Sequence, residues 1–180
     1  MGPDAVGREA MGCQTDHVER RDWVVGGAVI ERAGRLLLVH NLRRSGRRDW
    51  TTPGGVIDPG ESVIEGLTRE VTEETGIVVT SWEGPIYEVR ASAPELGWDL
   101  RVEVHRAARW HGELQVGADP DGIVIDAEFV DIDTLAERVD GTSVWVTEPL
   151  LSWLAERSLR GRVFSYRVDG TVDDLRVVRQ

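Results

Sequence analysis

Apolar residues recur along this chain in short runs broken by turn residues, and most of those runs have a strand-like period of two. DWVVGGAVIE (residues 22–31) reads as a strand interrupted by Gly26-Gly27, and RLLLVH (35–40) as a second strand. Ala33-Gly34 supplies a turn between them, so a hairpin is expected. NLRRSGRRD (41–49) reads as a basic loop. TSWEGPIYEVRAS and GWDLRVEVHRAARWHG supply two long β-type runs, AEFVDID (127–133) another strand, and TLAERV a short helix. TEPLLSWLAE (147–156) predicts a longer helix, with Thr147 as N-cap and Pro149 in the first turn. VFSYRVDGTVDDLRVV predicts a closing hairpin around Asp169-Gly170. Its alternating Phe164, Tyr166, Val168, Val172 and Val177 form a strand face that wants cover, from the same domain or from a second copy in a homodimer. Residues 1–21 have no apolar period and are expected to be a flexible tail. The order of elements is a mixed sheet with few helices, either α+β or an α/β/α sandwich.

One segment departs from the strand period. In SVIEGLTREVTEETG, Ser62 stands three residues before Glu65, a capping-box pattern, and Gly76 stands where a helix C′ residue is expected. The spacing predicts a helix over residues 63–75. At ~100° per residue, Val63, Ile64, Leu67 and Val71 form its core-facing stripe. Glu65 and Thr72 fall on the opposite, solvated side. Glu70, Glu73 and Glu74 border the apolar stripe instead. Glutamates that only keep a surface wet belong opposite the core. Three carboxylates at its rim repel and raise one another's pKa unless a cation is present. A hard divalent cation with oxygen ligands suits such a cluster. Arg69, one turn before Glu73, can hold that carboxylate, although an ordinary i,i+4 ion pair has the same spacing.

Composition narrows the function. The 180 residues suit one domain with a sizeable core. A net charge of -11 lacks the basic footprint of a general nucleic-acid binder, while a phosphorylated small molecule remains compatible through a metal ion and local arginines. Cys13 is the one cysteine, so no internal disulfide forms. No apolar run approaches the ~20 residues of a membrane span, so a soluble, cytoplasmic protein without membrane contact is expected.

Gly55-x5-Glu61-x7-Arg69-Glu70-Val71-x-Glu73-Glu74-x-Gly76-Ile77 resembles the Nudix box of the MutT-type pyrophosphohydrolases at every specified position, and Trp50 to Gly55 resembles that family's approach to the box. The likeness in element order spans about residues 22–158. The resemblance implies an α/β fold, a single-domain Nudix α/β/α sandwich with a mixed β-sheet, preceded by the tail (1–21) and followed by the appended hairpin (159–180). It implies hydrolysis of a nucleoside di- or triphosphate derivative with Mg²⁺ or Mn²⁺. An oxidised dGTP or another NTP or dNTP competes with ADP-ribose or an NDP-sugar. Carried over by position, Gly55 (through its carbonyl), Glu70, Glu73 and Glu74 would be the metal ligands, with Glu61 in support. Metal ions neutralise phosphate oxygens and lower the pKa of a bound water. Glu73 or Glu74 leads as the water-activating group. Asp119, Asp121, Asp126 and Glu128 are alternatives on a downstream loop, with Asp121 preferred. Arg43, Arg44, Arg47 and Arg48 are candidates for phosphate binding. Trp50 reads as packing. One of Trp82, Trp98, Trp110, Trp145 and Trp153 is available to stack on a base. The competing class is a Nudix-fold nucleotide sensor without turnover, and beyond it a purely structural acidic domain.

Overall fold

The structure is a computed structural model and describes residues 20–117, 120–157, 161–171 and 174–180. Cys13, Asp119, Val172 and nearly all of the expected tail lie outside the described residues. The strands are β1 (Arg21–Val29), β2 (Glu31–Arg32), β3 (Arg35–Leu42), β4 (Arg48–Thr51), β5 (Val78–Ala93), β6 (Trp98–His111), β7 (Val124–Asp131), β8 (Arg162–Thr171) and β9 (Asp174–Arg179). The helices are α1 (Val63–Thr75), α2 (Leu135–Arg138) and α3 (Val144–Ala155). Among the described residues no helix is long and apolar enough to cross a membrane.

The strands make two sheets. One has the order β1-β6-β5-β8-β9, with β1 parallel to β6 and β5 parallel to β8. The other joins β2, β3 and β4, with β7 antiparallel to β3. The expected first hairpin is therefore only its last two residues. β1 pairs with β6 in the first sheet, the chain crosses at Ile30, and β2 turns back on β3 through Ala33 and Gly34, both at positive φ. Alternation along β1 and β3 then feeds two cores on opposite faces. Ala28, Ile30 and Leu37 pack with Leu67 and Val71 of α1. Val29, Leu36 and Leu38 pack with Leu135 of α2 and with Leu150 and Trp153 of α3. This is the α/β/α layering expected from the sequence.

α1 has the expected limits. The Ser62 hydroxyl accepts from the Glu65 N–H at 3.3 Å, the Glu65 carboxylate accepts from the Ser62 N–H at 2.9 Å, and Gly76 caps the C-terminus at φ 72°. Its buried face is rotated from the expected one. Ile64 is 37% exposed, while Gly66, Glu74 and Thr75 are buried. Gly66 has no side chain, so Ile57 and Glu61 lie against the helix there and draw that flank inward. Thr72 is half-buried, not solvated: its hydroxyl lies 2.8 Å from the Thr68 carbonyl oxygen and 3.2 Å from that of Ile77, where the chain leaving the helix passes beside it.

Two other boundaries differ. α3 starts at Val144 after Ser143, not at Thr147, and Pro149 lies inside it. Trp145 meets Trp98 edge-on in the first turn, so packing extends the helix backward. Asp169 and Gly170 sit within β8, opposite Arg176 and Leu175, so strand pairing runs through this dipeptide to Thr171 and Asp174. The apolar face of this hairpin is covered by its own chain: Phe164, Tyr166 and Val168 are buried in the α3-side core, and Val177 packs against it.

Candidate active site

The box loop is laid along β1 by backbone hydrogen bonds. Ala28 N–H donates to the Pro53 carbonyl (2.8 Å), Gly26 N–H to the Gly55 carbonyl (3.0 Å), and Ile57 N–H to the Val24 carbonyl (2.9 Å). This approach is close enough to demand glycine. Gly54 has φ 139°, and a Cβ there would lie 2.1 Å from the Gly26 carbonyl oxygen. A Cβ on Gly55 would lie 2.5 Å from a Glu70 carboxylate oxygen. The loop and α1 thus meet at these two glycines. Gly54 N–H donates to Glu74 Oε2 at 2.8 Å, which fixes the buried Glu74.

Arg69 is the hub of the remaining acids. Its Nε and Nη2 donate to the two oxygens of Glu61 (3.0 and 2.9 Å), and its Nη1 to Glu70 (2.8 Å) and Glu73 (3.2 Å). The partners push the Arg69 pKa far upward, chiefly through the Glu61 hydrogen bonds, so it stays charged. The same bonds hold Glu61 below the usual carboxylate range. Burial raises the pKa of Glu70 and outweighs Arg69, with the charges of Glu73 and Asp121 adding to the rise.

These groups line a cleft of about 480 Å³, with Gly54, Gly55, Asp58, Arg69, Glu70, Glu73, Glu74 and Asp121 on its walls and Asn41, Arg43 and Thr51 at one side. The site residues predicted from the sequence divide here. Glu70, Glu73, Glu74, Gly55, Arg69, Arg43 and Asp121 face one space. Glu61 does not line it and reaches it through Arg69. Asp126 and Glu128 lie in β7 rather than a loop. Asp126 accepts from the Ala127 N–H, and Glu128 pairs with Arg138. Arg44 and Arg48 are exposed and do not line the cleft, while Arg47 donates to Asp49. Trp50 packs flat on His40, and the Arg138 guanidinium lies over its ring, 4.8 Å from the centroid.

Sequence reasoning missed two features. Asp49 is buried under Arg43, Arg47 and Asn41, and the only hint was one acid among four arginines. An apolar cavity of about 300 Å³ adjoins the cleft and shares Arg43, Thr51, Gly54, Gly55 and Val56 with it. Its walls are Val25, Tyr87, Val89, Val102 and Val104 of the first sheet, closed by Trp145 and Val146. Trp145 is thus the tryptophan placed beside the cleft. A cavity of about 510 Å³ elsewhere on the first sheet has charged walls, but Arg20–Asp99, Arg90–Glu88 and Arg101–Glu103 pairs already balance them.

The cleft's donor set fits a hard divalent cation. Around Gly55 it offers carboxylate and carbonyl oxygens, and it carries surplus negative charge and keeps the space over Gly55 clear of a Cβ. Among the described residues, no three acidic, histidine or cysteine side chains stand converged as an ion's ligands. Their oxygens are turned instead to Arg69 and the Gly54 amide.

Fold and acidic cleft together define a class, and comparison with known proteins agrees. The family model described as NUDIX domain matches residues 20–154. This chain belongs to the Nudix family. It is 33% identical over 98 residues to the CTP pyrophosphohydrolase of Escherichia coli, covering 48% of this chain and 73% of that one. It is 46% identical over 55 residues to a MutT-like protein of Streptomyces ambofaciens, covering 31% of this chain and 34% of that one. The match to the human 8-oxo-dGDP phosphatase NUDT18 is 36% over 55 residues, 31% of this chain and 17% of that protein. The chain therefore spans 34% and 17% of these last two relatives. The crystal structure of a MutT NUDIX hydrolase from Burkholderia pseudomallei superposes with a TM-score of 0.56 at 27% identity, covering 63% of this chain and 86% of that one.

Proposed function

We propose that the protein hydrolyses a phosphoric anhydride bond in a nucleoside triphosphate or deoxynucleoside triphosphate, dependent on Mg²⁺ or Mn²⁺. The observation that carries this reading is the adjacency of three parts: Glu70, Glu73 and Glu74 around Gly55, the Arg43 cation, and one apolar cavity opening from the same walls. Relatives named for CTP, ADP-ribose and 8-oxo-dGDP handling support the broader class of nucleotide derivatives. The apolar cavity of about 300 Å³ beside the acidic cleft suits one nucleoside, which favours a nucleoside triphosphate over a two-headed substrate.

Glu70, Glu73, Glu74 and the Gly55 carbonyl would hold the metal. When bound, a divalent ion neutralises phosphate oxygens and acidifies a water ligand. The chain's residues do the rest. Arg69 holds Glu70 and Glu73 in register, with Glu61 anchoring Arg69 from behind. Arg43 binds phosphate oxygens at the entrance to the apolar cavity, and Trp145 closes over the base. Glu73 accepts the proton of the attacking water, with Asp121 across the cleft as the alternative acceptor.

The test is a panel of NTPs, dNTPs, 8-oxo-dGTP, ADP-ribose and NDP-sugars with Mg²⁺ or Mn²⁺. Phosphate release is read with and without added pyrophosphatase for the triphosphates, and with added alkaline phosphatase, which acts on the monoester products, for ADP-ribose and the NDP-sugars. Turnover of at least one triphosphate that releases pyrophosphate is expected. A folded protein that binds divalent metal and cleaves no triphosphate overturns the reading.

A further inference from the structure

We propose that Asp49 is a positioning residue for substrate phosphate: it fixes the Arg43 guanidinium at the junction of the acidic cleft and the apolar cavity. The inference rests on the reading of that cleft as a nucleotide site.

Asp49 lies on β4 directly opposite Asn41 on β3, and its side chain is 2% exposed. A buried carboxylate must be met by donors or it destabilises the fold. Here the donors are unusually complete. Arg43 Nε lies 3.1 Å from both oxygens and Nη2 2.9 Å from Oδ1, Arg47 Nη2 lies 3.0 Å from Oδ2, and Asn41 Nδ2 lies 3.1 Å from Oδ1. Asn41 is itself braced by donating to Thr51 Oγ1 at 2.9 Å. Burial alone would raise the Asp49 pKa, but these partners hold it below the ordinary value, so it remains an anion.

The cluster is not needed to close its loop. Residues 43–47 are already turned by backbone bonds, Arg43 N–H to the Arg47 carbonyl and Gly46 N–H to the Arg43 carbonyl, both 2.8 Å. What the carboxylate adds is aim. Arg43 is gripped through Nε and Nη2, which leaves Nη1 without a hydrogen-bond partner among the described residues. Among the described residues Arg43 is also the one cation lining both cavities. Arg69, the other cation on the cleft, already serves three glutamates. A phosphate chain entering beside the apolar cavity therefore meets Arg43, held side-on in the fork geometry that only a guanidinium provides.

The test measures steady-state kinetics with dGTP and CTP in Mg²⁺ for wild type, Asp49→Asn, Arg43→Ala, Arg43→Lys and the Asp49→Asn/Arg43→Ala double variant. Asp49→Asn is expected to raise KM about tenfold, the scale of one charged hydrogen bond, with kcat changed by less than about threefold. Arg43→Lys keeps the charge, loses the fork, and is expected to raise KM by a similar factor. In the Arg43→Ala background, Asp49→Asn should add nothing, because the two act as one unit. Wild-type KM in Asp49→Asn or in Arg43→Lys, or losses that multiply in the double variant, overturns the proposal. If Asp49→Asn fails to fold, Arg43→Lys decides. If wild type cleaves neither dGTP nor CTP, the same comparison is made on the calorimetric Kd for Mg²⁺-dGTP; absence of turnover on every triphosphate overturns the hydrolase reading and leaves the Asp49–Arg43 comparison of Kd to decide this proposal.

Discussion

Two charge clusters face one cleft with opposite architecture. On α1, one arginine serves three carboxylates: Arg69 bonds Glu61, Glu70 and Glu73. On the β3–β4 turn, one carboxylate serves two arginines: Asp49 bonds Arg43 and Arg47. The first leaves negative charge in excess, the second positive. A lone cluster of either sign would be a liability, because unneutralised like charges in a partly buried cleft repel. Set side by side, they suit the two halves of one ligand, a divalent metal and the phosphate chain it accompanies.

The sharpest way to break the comparison is to remove charge from the acidic side. Glu73→Gln keeps size and loses the charge and basicity. Turnover of the best triphosphate in the panel is expected to fall by about 10²–10⁴-fold, the range for a lost general base, with Tm within a few degrees of wild type. An equal loss in metal-induced stabilisation and turnover assigns Glu73 to the metal, while full retention of turnover removes it from the chemistry.

The two glycines under the cleft separate fold from site at adjacent positions. Gly54→Ala meets a backbone carbonyl at 2.1 Å from a φ of 139°. It is expected to cost about 3 kcal/mol or more, read as a Tm loss of roughly 10 °C. Gly55→Ala meets only the end of the Glu70 side chain, which can swing away. It is expected to leave Tm nearly unchanged and to lower turnover up to about 10²-fold through displacement of Glu70. Reversed outcomes would show that Glu70, not the β1 contact, supports the loop.

The two clusters also differ in how far the sequence exposed them. α1 was legible because its signals are local. A capping box, a C-terminal glycine and a 3.6-residue period all fall within one stretch, and the glutamates' offset from the apolar stripe places them on the cleft. The rotation that exposes Ile64 was not legible, since it depends on Ile57 settling against Gly66 from outside the helix. Asp49 was hidden because its partners are joined by strand register, Asn41 opposite Asp49, and a buried acid in an arginine-rich loop reads as one more soluble residue. The apolar cavity was hidden for the same reason, with walls drawn from β1, β5, β6 and α3. The early start of α3, which brings Trp145 to that cavity, comes from tertiary packing that overrode the local Thr-x-Pro signal.

Removing the hub of the acidic cluster has a smaller, two-part effect. Arg69→Ala strips the counter-charge from Glu61, Glu70 and Glu73. Its side chain is 30% exposed, so the loss is expected at the low end for charged hydrogen bonds, about 1–2 kcal/mol. The freed carboxylates should then gain more from a cation, so Mg²⁺ should raise the Tm of Arg69→Ala by more than it raises that of wild type. A smaller metal shift in the variant means that Arg69 organises the ligands more than it competes with the ion.

The finest contrast is between two isosteric neutralisations without metal. The Asp49 pKa is depressed below its ordinary 3.8, so its stabilising contribution is present above that pH and is lost as pH falls through the lower, folded-state value. The Glu70 pKa is raised above 4.5, so folding disfavours its anion, and stability declines as pH rises through the raised value. At pH 7, Asp49→Asn should therefore destabilise, by about 1.5–3 kcal/mol, and the difference from wild type should shrink below about pH 3.8. Glu70→Gln should instead leave stability unchanged or raise it by up to about 1 kcal/mol, and added Mg²⁺ should reverse that sign by stabilising wild type alone. Urea unfolding at pH 7 and pH 3, with and without Mg²⁺, reads all of these. If both substitutions destabilise equally in metal-free buffer, Glu70 is satisfied by Arg69 as fully as Asp49 is by Arg43, and the acidic cluster no longer stands apart as the half that waits for a cation.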